Sequence, residues 1–192
     1  CWDPRGWFWN VAQAARDQIV MMEEGIDFGD YTSQTLTTKA WESYDLGDTD
    51  AALIYIKKCI SLYEQEALKQ QTKLNNFAPK EEAFNYWALN DVGTCYFIMG
   101  KIYMQKNELK KALSAFKKLT ENFFYSQCWD PRGWLWKPAI AAQTEITKIQ
   151  SILASQSRNK NEINMKKARV PEFYYISRIA LSKKSKGGDK VL

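Results

Sequence analysis

Apolar residues recur three and four positions apart over most of the first 156 residues, and few glycines or prolines interrupt them. That spacing predicts six amphipathic helices, over 7–24, 32–46, 48–69, 79–105, 107–122 and 134–154. Each junction carries a break signal. Gly47-Asp48 separates the second helix from the third and places an acidic cap on the new one. The polar stretch 71–78 precedes Pro79, and Glu81 and Glu82 then suit the positive end of a fourth helix.

One phrase stands outside this periodicity and is written twice. Residues 1–9 read CWDPRGWFW, and residues 128–136 read CWDPRGWLW. Aligning 1–20 with 128–147 gives twelve identities, among them Ala12/Ala139, Ala14/Ala141, Ala15/Ala142 and Ile19/Ile146, so the duplicated unit is a loop plus the helix after it. Two local readings are open. Asp130-Pro131 can cap a helix whose Trp129 and Trp134 have hydrophobic-staple spacing, as have Trp2 and Trp7. Alternatively, Asp130-Pro131-Arg132-Gly133 is a type I turn and the helix starts later, which Pro138 favours because proline is tolerated only in a first turn.

Composition supports the helical reading, with 45% hydrophobic residues, 14% aromatics, and only 9 glycines and 5 prolines in 192 residues. No apolar run approaches the roughly 18 residues a membrane-spanning helix needs. The net charge of +5 is uneven: from Ser157 onward ten Lys/Arg face three Asp/Glu, a surplus of +7 that leaves residues 1–156 at −2. The chain therefore divides into a helical array over 1–156 and a basic tail over 157–192. In the tail an aromatic and apolar stretch, 173–181, is expected to dock, while Lys183, Lys184 and Lys186 read as solvated. Because the aromatics precede the lysines instead of interleaving with them, nucleic acid is not the expected partner.

The chemistry is sparse. There is no histidine, and Cys59 and Cys95 form no CxxC pair, so a Cys/His zinc site and the His-dependent nucleophile pairs are not expected. No glycine-rich phosphate loop occurs, and no cofactor is expected. The neighbouring acids Glu23-Glu24 and Glu81-Glu82 point in different directions on a helix and make no catalytic dyad. The sequence begins at Cys1 without a methionine and reads as a processed product or a fragment, with a cell-surface or extracytoplasmic place favoured over the cytoplasm. Cys128 at the same place in the second copy argues against Cys1 as a lipidation site. No Asn-x-Ser/Thr acceptor is present.

Two stretches carry a resemblance. In YFIMGKIYMQKNELKKALSAFKKLTENFF, Tyr96, Met99, Gly100 and Tyr103 are followed by Ala112, Phe116 and Leu119. AWESYDLGDTDAALIYIKKCISLY has the turn pair Gly47-Asp48 and the small residue Ala52, with Ile56 and Cys59 further on. Both resemble the tetratricopeptide repeat, a helical hairpin of about 34 residues. The match is irregular: Asn107 stands at the turn glycine, and the equivalent Ala40 and Gly100 lie 60 residues apart. The resemblance implies an all-α, right-handed solenoid of stacked hairpins, each covering its neighbour's apolar face.

It also implies a non-catalytic scaffold that binds a protein or peptide in the groove lined by the first helix of each hairpin. Carried over by position, that groove consists of Trp41, Tyr44 and Asp45, then Phe97, Lys101, Met104 and Gln105. The basic and asparagine pattern of a two-carboxylate clamp is not evident. The duplicated phrase supplies a junction set, Trp2, Asp3, Pro4, Arg5, Trp7 and Trp9 with Trp129, Asp130, Pro131, Arg132, Trp134 and Trp136, and holds six of the eight tryptophans. These residues fill joints in the core, offer a platform for a glycan in a cell-envelope adaptor, or continue the solenoid head to tail into a second copy as an oligomer or filament.

Overall fold

The computed structural model describes residues 10–130 and 132–168, with side chains described to Met165. Six α-helices lie among the described residues: α1 (Val11–Glu24), α2 (Ser33–Asp45), α3 (Thr49–Gln71), α4 (Trp87–Gln105), α5 (Leu109–Asn122) and α6 (Pro138–Ala168). A 3-10 turn, Ala83–Tyr86, leads into α4, and a two-stranded antiparallel ribbon, β1 (Cys128–Asp130) with β2 (Trp134–Trp136), leads into α6. The chain divides into two compact units, Cys1–Ile149 and Gln150–Leu192.

In the first unit, α2 pairs with α3 and α4 with α5. Both hairpins turn the same way. At the first, Gly47 adopts φ +81° and the Asp48 N–H donates to Ser43 O at 2.9 Å. At the second, Asn107 adopts φ +56° and the Glu108 N–H donates to Tyr103 O at 2.8 Å. Asparagine tolerates this left-handed conformation better than other side chains do, which is why it can replace the expected glycine. The fifth helix accordingly starts at Leu109, later than the spacing predicts.

Small residues set the distance between paired helices. Ala40 in α2 and Ala52 in α3 are fully buried, as are Gly100 in α4 and Ala112 in α5. A Cβ on Gly100 would lie 2.4 Å from Cε1 of Phe116, so the absent side chain is where that ring sits. Around these contacts Leu36, Ile56, Leu89, Val92, Ile98, Ile102, Leu119 and Phe123 form one core without solvent exposure.

The fourth and sixth helices also begin later than predicted, for different reasons. Pro79 opens a turn, its carbonyl accepting from the N–H groups of Glu82 and Ala83, and does not open the fourth helix. Side chains then take over the orphan groups at the entrance of α4: Gln70 Oε1 accepts from the Leu89 N–H, and Asn90 Nδ2 donates to Ala83 O. The sixth helix does not start at Trp134, because residues 134–136 pair with 128–130 and the helix opens on Pro138, whose missing N–H costs nothing in a first turn. That helix continues to Ala168, past the predicted end at 154.

The α1 helix is capped by Asn10, whose side chain accepts from the Gln13 N–H, and ends at Gly25 with φ +66°. It meets the array through Asp17, to which the buried Lys58 of α3 donates. The Lys58 ammonium also lies over the rings of Phe28 and Tyr31, at 5.3 and 5.2 Å from their centroids, so the burial of this charge is compensated on several sides. In the second unit the described residues are the continuation of α6, where Ser155 Oγ donates back to Ser151 O and Ile152 O. No described helix is long and apolar enough to cross a membrane. The stretch 173–181 and the lysines after it lie outside the described residues.

The close approach at Gly100 gives a direct test. Gly100→Ala adds a methyl group where Phe116 stands, and overpacking of this kind costs about 1–3 kcal/mol despite the better helix propensity of alanine. Urea denaturation followed by circular dichroism is expected to show that loss.

Candidate functional site

The seven residues assigned to the groove fall on two helices at helical spacing: Trp41, Tyr44 and Asp45 on α2, and Phe97, Lys101, Met104 and Gln105 on α4. The helices are joined here by the Gln105 Nε2 amide, which donates to Tyr44 Oη at 3.1 Å. Trp41 and Tyr44 meet edge to face with centroids 5.9 Å apart. Phe97 rests on Phe116, 5.9 Å away, so the floor of the groove is supported by the residue that Gly100 admits. Met104 is half-buried, and Asp45 and Gln105 are exposed.

The duplicated phrase enters this groove. Trp136 stands 5.1 Å from the Phe97 ring and 6.4 Å from the Trp41 ring, edge to face with both. Such aromatic pairs contribute roughly 0.5–1.5 kcal/mol each beyond their buried area. Further along, Glu145 of α6 accepts from Lys101 at 3.4 Å and from Lys148 at the same distance. Burial first, and then the Asp45 and Glu145 carboxylates, push the Tyr44 phenol above its ordinary range. Ala139, Ala142 and Ile149 of α6 are buried and Ile146 is half-buried, a stripe with the spacing of one helix face.

The ribbon orients Trp136. Its register pairs Cys128 with Trp136, Trp129 with Leu135 and Asp130 with Trp134, and the turn closes with the Gly133 N–H donating to Asp130 O at 2.9 Å. Glycine is needed there, at φ +99°. Strand alternation places Trp129 and Leu135 on one face and Cys128, Asp130, Trp134 and Trp136 on the other. On the first face Trp129 meets Phe84 at 6.3 Å, and the Lys80 ammonium lies over its ring at 5.2 Å. At the tip, Asp130 accepts from the backbone N–H, Nε and Nη2 of Arg132 at 2.8–2.9 Å, and the Arg132 guanidinium covers Trp134 at 5.2 Å. The Arg132 hydrogen bonds, with help from Trp134, hold the Asp130 carboxyl far below the usual range.

The root of the ribbon is tied to the array by Gln127, whose N–H donates to Asn90 Oδ1 at 2.8 Å and whose Nε2 donates to Ala78 O at 3.0 Å. Beneath it, burial raises the Cys128 thiol, with nearby Asp91 adding to the shift and Thr94 opposing it. Burial also lifts Asp91 to about 6, although Ser33 Oγ donates to it. Cys59 and Cys95 sit in the core beside Thr37, whose Oγ1 is 3.6 and 3.4 Å from their sulfurs, and burial first of all raises the Cys95 thiol. No grouping of metal ligands occurs among the described residues.

Trp2, Asp3, Pro4, Arg5, Trp7 and Trp9, together with Pro131, lie outside the described residues. Of the second copy, Trp136 and the groove come together, whereas Trp134 stays at the tip beneath Arg132, 54% exposed, and Trp129 engages the entrance of α4 instead. Sequence reasoning missed Glu145 as a groove contact and Asp91 as a half-buried acid. The first had a signal, since Glu145 borders the stripe of Ala142, Ile146 and Ile149; the second had none.

The Asp91 shift has a pH consequence. A carboxyl raised from 3.8 to about 6 on folding binds its proton more tightly in the folded state, so its stabilising contribution is complete below pH 3.8 and is lost as the pH climbs to about 6. At roughly 1.4 kcal/mol per unit the loss is up to about 3 kcal/mol. Asp91→Asn, which keeps an acceptor for Ser33, is expected to stabilise the protein at pH 7 by about 1–3 kcal/mol and to have little effect at pH 4. Urea melts at the two pH values check this, and an equal effect at both would refute it.

The sequence model of the tetratricopeptide repeat matches residues 33–66 and 93–122, which are α2 with most of α3, and most of α4 with α5. No curated protein and no solved structure matches the chain. Repeats of this kind generally serve as non-catalytic scaffolds for binding other proteins. Residues and fold thus agree that α2–α5 are two tetratricopeptide-like hairpins, whose groove receives Trp136 and Glu145 of the segment that follows them.

Proposed function

We propose that the chain is a non-catalytic interaction scaffold that binds its own kind, the phrase-plus-helix element of one copy seating in the α2–α4 groove of another, head to tail. Trp136 between Trp41 and Phe97 supports this reading, because the groove accepts this phrase and Trp9 holds the equivalent position in the first copy. A head-to-tail contact joins two different surfaces and so propagates into rings or open chains. Light scattering across a concentration series is expected to show association of the full chain and a monomer after deletion of residues 1–24. A monomer throughout would remove self-association and leave only the general scaffold role.

A second reading rests on Trp129 and Trp134, 42% and 54% exposed, as a platform for a sugar ring in a cell-envelope adaptor. It predicts glycan binding that weakens at least tenfold in Trp7→Ala and Trp134→Ala with the helical spectrum intact. Absence of glycan binding by the unaltered chain removes it.

A further inference from the structure

The two copies of the duplicated element are treated differently by the fold. Counting 127 residues back from the buried stripe of α6, Ala139, Ala142, Ile146 and Ile149 become Ala12, Ala15, Ile19 and Met22 of α1. Three of these four positions are identical and the fourth remains apolar. Yet in α1 this face is open: Ala12 and Ala15 are exposed, Ile19 is 51% exposed and Met22 is 79% exposed. At 100° per residue it lies opposite the side that α1 turns toward the array, which carries Asp17 with the half-buried Ala14, Val20 and Met21. The α1 helix therefore docks in its own chain by one face and leaves outward the face that its duplicate buries.

We infer that the outward face of α1 is a second ligand for the α2–α4 groove, directed to a second copy of this chain, and that the second phrase with the start of α6 is an internal latch competing for the same seat. This rests on the self-association reading and gives it a control. The latch has two advantages. It is tethered to its groove, where effective concentrations reach the millimolar range. It also carries Glu145 against Lys101, where α1 has the uncharged Gln18 at the equivalent position. Moving that charge from one copy to the other shifts the competition toward association.

The test uses the full chain and a labelled synthetic peptide of residues 1–24, with fluorescence anisotropy as the readout. Binding to the Trp136→Ala/Glu145→Gln variant is expected to be at least tenfold tighter than to the unaltered chain, and the milder Glu145→Gln alone should give about two- to fivefold. A Gln18→Glu peptide should bind the Glu145→Gln chain more tightly still, and Ile19→Asp/Met22→Asp in the peptide should abolish binding. Circular dichroism of each chain variant confirms that the helices persist; if Trp136→Ala unfolds, Glu145→Gln decides. Equal binding to latched and unlatched chains, or binding indifferent to Ile19 and Met22, overturns the inference. Peptide binding without concentration-dependent assembly of the unlatched chain sinks the self-association reading while the groove assignment stands. Assembly that is lost with residues 1–24 but unmoved by Glu145→Gln does the reverse.

Discussion

Phe116 reaches into α4 only because residue 100 has no side chain. Much of the site follows from that contact. The ring of Phe116 supports Phe97, Phe97 supports Trp136, and Trp136 is the last residue of the ribbon before α6. A packing constraint inside one helical hairpin is thus transmitted through successive aromatic contacts to a surface built by a different segment. In a close-packed interior such a chain has little slack, so a shift at its base displaces its far end.

The α2–α5 array was legible in the sequence because its determinants are local and periodic. Small residues at Ala40, Ala52, Gly100 and Ala112 and turn residues at Gly47 and Asn107 announce hairpins without knowledge of what surrounds them. The entrances to α4 and α6 were not legible, because distant partners decide them. Whether residues 79–86 continue a helix depends on Gln70 and Asn90, which take over backbone groups from outside that segment. Whether Trp134 starts a helix depends on strand pairing with 128–130, which a 3.6-residue periodicity does not encode. Of the candidate site, position in the groove could be carried over residue by residue, but the contact made there by Trp136 and Glu145 required the fold.

Duplication makes the comparison of environments unusually informative. The same apolar face occurs twice on helices of similar composition, once buried beside Lys101 and once open. Differences on the opposite face accompany this divergence: Asp17, Val20 and Met21 of α1 stand against Thr144, Thr147 and Lys148 of α6, and Gln18 stands against Glu145 beside it. In α1 the acid at position 17 serves the opposite face by pairing with Lys58, and there the helix gains its anchor to the array. Substitutions on one face of this kind choose which side of a helix turns inward while the apolar stripe on the other face stays nearly unchanged.

The tip of the ribbon balances its own charge. Asp130, Arg132 and Trp134 satisfy one another within five residues, with an Asp130 carboxylate so strongly held that it remains charged in mild acid. Among the described residues, the contacts with the array come from the root, through Gln127, Trp129 and Trp136. Such a loop is a portable cassette: its shape travels with its own sequence, while its address is written in the aromatic residues at its base.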